Sequence, residues 1–101
     1  MGEHRAIRVP IDLPARLRIE TQMIPCRITN ISLGGVFVTG AIVPAKRVSI
    51  SFTPPGDHEV QADCTVRWST SDGVGLRFEH LSAAEVELLA QMIRVVLTRM
   101  A

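Results

Sequence analysis

At 101 residues and a formal net charge of +1, with 47 % apolar and 21 % charged residues, the chain has the composition of a small globular domain with one core, not of a disordered chain. So small a charge gives no bulk attraction to nucleic acid or an anionic membrane, yet Arg5, Arg8, Arg16 and Arg18 crowd basic groups into the first eighteen positions. No apolar run approaches the length of a membrane span, MGEHRA has no signal-peptide core, and Cys26 and Cys64 occupy apolar positions of strand-like runs; a cytoplasmic protein with buried thiols is expected.

Residues 1–10 read as a flexible arm whose Val9-Pro10 step favours extended backbone. Alternation then takes over: Ala15, Leu17 and Ile19 against Arg16, Arg18 and Glu20, followed by Ile24, Cys26 and Ile28 against Pro25, Arg27 and Thr29. The segment NISLGG at 30–35 interrupts this pattern with Asn30, Ser32 and two glycines, and Val36 to Val38 resumes it. Val48, Ile50 and Phe52 form a fourth run, and Val60, Ala62, Cys64, Val66 and Trp68 a fifth, which by parity places Trp68 on the dry face. STSDG is a tight turn into the sixth run, Val74, Leu76 and Phe78. Six short strands with these turn signals predict a small antiparallel barrel or sandwich.

The last twenty residues change period. Ser82 and Glu85 form a capping box, Leu81 and Val86 a hydrophobic staple, and Val86, Leu89, Ala90, Ile93, Leu97 and Met100 recur at helical spacing. A second apolar arc, Leu88, Met92 and Val95, exceeds what one barrel contact needs. Two readings account for it: a homodimer through those three residues, or cover by another part of the same chain.

No chemistry of catalysis is legible. There is no CxxC, HExxH or GxSxG, the three histidines are scattered, and the short GVG at 73–75 does not open a helix, so neither an enzyme, a metal nor a cofactor is expected. NISLGG taken alone is equally a strand-to-turn motif in which the polar side chains serve the backbone.

Taken together and in order, HRAIR at 4–8, Asn30, Ser32 and Gly35, and GVGLRF at 73–78 before a helix resemble the PilZ domain, the bacterial cyclic di-GMP receptor module, along nearly the whole chain. The family's opening RxxxR has His4 at its first position, with Arg5 the nearest substitute, and its (D/N)xSxxG is complete. The resemblance implies a mainly β fold, a six-stranded antiparallel Greek-key (split) barrel over 12–79 with a C-terminal α-helix over 82–100, in a single domain. It implies cyclic di-GMP as the ligand, held by His4, Arg5 and Arg8 on the arm and by Asn30, Ser32, Gly34 and Gly35 at the strand end. Arginine suits such a ligand because its planar fork meets both guanine edges and phosphate oxygens. Asn30 offers one acceptor oxygen where a carboxylate would meet both guanine donors. Binding is expected to order the arm and signal to an unidentified protein partner, without membrane or nucleic-acid polymer. The alternative is an interaction adaptor that no longer binds the nucleotide.

Overall fold

The computed structural model describes residues 7–56 and 58–100. It contains β1 (Val9–Ile19), β2 (Gln22–Ile31), β3 (Gly35–Thr39), β4 (Arg47–Phe52), β5 (Val60–Ser69), β6 (Val74–Phe78) and α1 (Ala83–Met100). All neighbouring strands are antiparallel, and the order β1-β2-β3-β6-β5-β4 closes into a barrel where β4 meets β1. Closure removes the open edges that would invite pairing with other chains. Two meanders, β1-β2-β3 and β4-β5-β6, are joined by a connection between strands that are not neighbours, the Greek-key device.

The alternation in the sequence explains the core. Leu17 faces Ile24 and Ile50 in the ladders, Ile50 faces Ala62, and Leu17, Ile28, Ile50 and Leu76 are all fully enclosed. Arg16 and Arg18, on the alternate positions of β1, are exposed, and Arg16 lies 3.6 Å from Glu59. The strand begins earlier than the alternation implies. Val9 is buried and pairs with Ile31, and Pro10 pairs with Asn30, so the last two residues of the expected arm belong to the barrel wall.

Helix α1 starts as its capping box requires. The Ser82 hydroxyl accepts the Glu85 N–H at 3.1 Å, and Glu85 Oε1 accepts the Ser82 N–H at 2.9 Å. Its docked face differs from the expected one. Leu89, Met92 and Ile93 are buried, with Leu88 and Val96 partly covered, while Val86, Val95, Leu97 and Met100 are exposed. Apolar residues cover so much of the helix that spacing alone does not choose the inner arc; packing of α1 beside β1 does. Of the three residues of the expected dimer contact, Met92 is 8 % exposed, Leu88 is partly covered and Val95 is exposed. Among the described residues, no helix is long and apolar enough to cross a membrane.

Candidate functional site

The ladders contain three one-residue slips; one lies in β1 between Pro10 and Leu13, and the other two orient the side chains of the site. Between β2 and β3 the register shifts after Ile28 pairs with Val38, so that Asn30 pairs with Phe37 and Ile31 with Val36. Between β5 and β6 it shifts after Val66 pairs with Leu76, so that Trp68 pairs with Gly75. Because side chains alternate with period two, one extra residue turns every later side chain to the other face. Asn30 and Trp68 share the parity of core residues earlier in their strands, and the bulges turn both outward.

Both bulges fall on a single cross-strand row, Pro10, Asn30, Phe37, Gly75 and Trp68, which runs across β1, β2, β3, β6 and β5. Trp68 is therefore 46 % exposed, which corrects its expected place in the core. Gly75 is what allows the ring to lie down. A β-carbon there would sit 2.4 Å from the indole, so the ring rests against the β6 backbone.

Arg8 enters from the start of β1. The pairing of Val9 with Ile31 and of Pro10 with Asn30 carries it to the end of β2, where its guanidinium donates to Asn30 Oδ1. The same guanidinium lies over the Trp68 ring, 6.0 Å from its centre, in the range of a cation–π contact. Arg8, Ser32, Gly34, Arg67, Trp68 and Arg77 line an open cleft of about 450 Å³. Hollows of about 480 and 630 Å³ elsewhere on the barrel contain none of the expected binding residues; they are lined by Arg18, Asp63 and Glu79, and by Arg16, Arg27 and Glu59.

Ser32 has another task. It is 3 % exposed, its hydroxyl accepts the N–H groups of Gly34 and Gly35 at 3.1 and 3.2 Å, and its own N–H donates to the Gly35 carbonyl at 2.9 Å. The side chain thus closes the turn between β2 and β3, the backbone role that the motif alone also admits. Gly35 serves packing: a β-carbon would sit 2.0 Å from the Leu76 carbonyl oxygen, so only glycine lets β3 approach β6 this closely. Gly34 is exposed at the rim of the cleft, and its carbonyl accepts the Phe78 N–H at 2.8 Å.

Of the expected binding residues, the structure brings Arg8, Asn30, Ser32, Gly34 and Gly35 to one end of the β2–β3 hairpin, whereas His4 and Arg5 lie outside the described residues. Arg67, Trp68 and Arg77 were not anticipated. The available signal was Gly75, a small residue in a short strand opposite a long run that ends in Arg67-Trp68, which suits an aromatic ring folded over the wall.

At the lower edge of this wall, Glu79 accepts from the Thr65 hydroxyl and lies 3.5 Å from Arg77. The Thr65 hydrogen bond, helped by Arg77, holds its carboxyl below the usual range. Among the described residues, no three His, Cys, Asp or Glu side chains cluster as metal ligands.

A family model for the PilZ domain matches residues 3–94. The chain belongs to the PilZ domain family. Three solved structures share its fold. The inhibitor of motility MotI/DgrA of Bacillus subtilis is 19 % identical with a TM-score of 0.77, over 98 % of this chain and 53 % of that one. YcgR of Escherichia coli, solved in complex with c-di-GMP, is 15 % identical with a TM-score of 0.77, over 95 % and 46 %. PlzA of Borreliella burgdorferi, also in complex with c-di-GMP, is 17 % identical with a TM-score of 0.70, over 90 % and 41 %. This PilZ chain spans about half the length of these proteins or less. A comparison with curated proteins gives no match.

Proposed function

We propose that the chain is a cyclic di-GMP receptor, with its binding site at the junction of the β1 start, the β2 end and the outer wall of β5 and β6. The observation that carries this reading is the Arg8 guanidinium, held between Asn30 and Trp68 at the mouth of the cleft. Family membership supports it, as do the two PilZ relatives solved with c-di-GMP. A bis-guanine ligand with two phosphodiesters requires cations beside flat surfaces and an edge-reading acceptor, and Arg8, Trp68 and Asn30 supply those three chemistries.

In this reading Arg8 meets a phosphate or the guanine O6/N7 edge, and Asn30 accepts from guanine N–H. The segment before Val9, which carries His4 and Arg5, is fixed over the wall when ligand binds, and this ordering is the signal read by a protein partner. Titration calorimetry of wild type beside Arg8→Ala tests the site. Loss of a charge-assisted contact lowers affinity by about 1.5–3 kcal/mol. A folded Arg8→Ala variant with unchanged affinity removes Arg8 from the site.

One observation favours the adaptor reading: the Ser32 hydroxyl, expected to help hold the ligand, is occupied within its own turn. An adaptor keeps its partner affinity in Arg8→Ala and gives no heat with nucleotide.

A further inference from the structure

Of the arginines that line the cleft, Arg8, Arg67 and Arg77, only Arg77 has a carboxylate partner among the described residues. The ladders set its position. Arg77 pairs with Gly35 on one side and with Thr65 on the other, and it is exposed between the buried Leu76 and Phe78, so it stands on the outer wall between the β2–β3 turn and β5. Its Nε lies 3.5 Å from Glu79 Oε2, with 54 % of the arginine side chain and 29 % of the glutamate side chain exposed.

The two partners are held unequally. The Glu79 carboxylate also accepts from the Thr65 hydroxyl, and the Glu79 N–H donates to the Asp63 carbonyl at 2.9 Å. The Arg77 side chain has no other polar partner among the described residues. The carboxylate is therefore anchored, and the guanidinium is free to turn.

We propose that Arg77 is a phosphate-binding residue of the cleft and that Glu79 is its positioning residue, a carboxylate that holds the guanidinium on the wall in the free protein and yields it to a phosphodiester of the ligand. The inference rests on the cyclic di-GMP reading and deepens it by assigning a contact, and a group that sets its strength, outside the N-terminal arm and the β2–β3 turn. A partly exposed ion pair is weak, because water screens it and long side chains lose freedom in forming it, so it competes with the ligand without excluding it. A phosphodiester oxygen offers Arg77 a charge-assisted hydrogen bond of the kind it gives up. Glu79 keeps the Thr65 hydroxyl and its contact with water, so the exchange leaves no buried, unpaired charge. The competition falls on every anion alike. A ligand that also engages Arg8 meets it more easily than an anion with one contact.

The test is calorimetry with cyclic di-GMP on wild type, Arg77→Gln, Glu79→Gln, the double variant Arg77→Gln/Glu79→Gln and Asp63→Asn, with circular dichroism of each. Glutamine at 79 removes the charge and keeps an oxygen for the Thr65 hydroxyl. Asp63 is the control, a carboxylate of the same wall that accepts from the Ser49 hydroxyl and has no ion pair with Arg77. Arg77→Gln is expected to weaken binding by about tenfold or more and to reduce its salt dependence. Glu79→Gln is expected to tighten binding by about two- to fivefold, a gain that is absent in the double variant and in Asp63→Asn. Glu79→Gln that binds no tighter than wild type overturns the positioning role, as does an equal gain in the double variant or in Asp63→Asn, which marks a general effect of charge. A folded Arg77→Gln variant with unchanged affinity overturns the contact itself, and if Arg8→Ala then binds weakly, the receptor reading stands without it. Absence of wild-type binding overturns the receptor reading and this inference together.

Discussion

Arg8 and Asn30 are 22 residues apart in sequence and joined by a hydrogen bond in space, so the two segments that resemble separate ligand motifs are already in contact in the free protein. The contact follows from backbone pairing, not from mutual attraction of the side chains. Pro10 pairs with Asn30, and the chain just before it runs along the end of β2. An exposed hydrogen bond of this kind contributes little to stability and is readily exchanged for one to a ligand.

Asn30→Asp is expected to tighten cyclic di-GMP binding. The carboxylate accepts from both guanine donors in charge-assisted hydrogen bonds worth about 1.5–3 kcal/mol, against an exposed pair with Arg8 in the free state worth about 1 kcal/mol at most. The second figure is smaller, so affinity rises by about fivefold, measured by calorimetry at fixed salt. Weaker binding by this variant means that Asn30 meets an acceptor of the ligand rather than its donors.

Ser32→Ala is expected to act on the fold first. Two N–H groups of the β2–β3 turn lose their acceptor, one of them buried, and stability drops by about 1–2 kcal/mol in denaturant unfolding. Gly35→Ala is more severe because its β-carbon meets the Leu76 carbonyl oxygen, which cannot move without opening the pairing of β3 with β6. A Ser32→Ala variant as stable as wild type but weaker for nucleotide returns the hydroxyl to the ligand.

Met92→Glu and Val95→Glu separate the two faces of α1. Met92 is on the buried face of the helix at 8 % exposure, where taking a carboxylate out of water is costly, so a loss of about 3 kcal/mol is expected; Val95 is 50 % exposed and its variant stays within about 0.5 kcal/mol of wild type. Chemical denaturation of both variants reads the difference. Equal stability of the two contradicts the docked orientation of the helix.

The thiols make the fold sensitive to alkali. Burial pushes Cys26 up to about 11, and burial with help from Asp63 and Glu79 pushes Cys64 up to about 12, from 9.0 in both cases. Their folded values are raised, so the stability they contribute is complete below pH 9.0. It is lost as pH rises toward 11 and 12, because the unfolded chain releases these protons first. Unfolding midpoints measured from pH 8 to 10.5 are expected to fall in wild type and to fall less in Cys26→Ala/Cys64→Ala. An identical slope in that double variant assigns the alkaline loss to other groups.

The strands and the helix cap were legible because their signals are local. Leu17 with Arg16 and Arg18, or Ser82 with Glu85, are determined by residues a few positions apart. The inner face of α1 and the position of Trp68 were not. Leu88, Leu89, Met92, Ile93 and Val96 are all apolar, so only the shape of the barrel decides which are covered. The bulge after Val66 leaves the alternation of residue types intact while reversing which side it faces. At the site, Arg8 and Asn30 were each read as residues of one ligand site, and the structure brings them into contact, whereas the local role of Ser32 required the turn itself.

Equilibrium titration of the wild-type chain with cyclic di-GMP, with GMP in excess as the control, tests the receptor account most directly. The account predicts saturable heat with the dinucleotide, little competition from GMP, and weakening as salt rises because arginines meet phosphates. No heat and no competition at high micromolar dinucleotide, from a chain that circular dichroism shows to be folded, would contradict it.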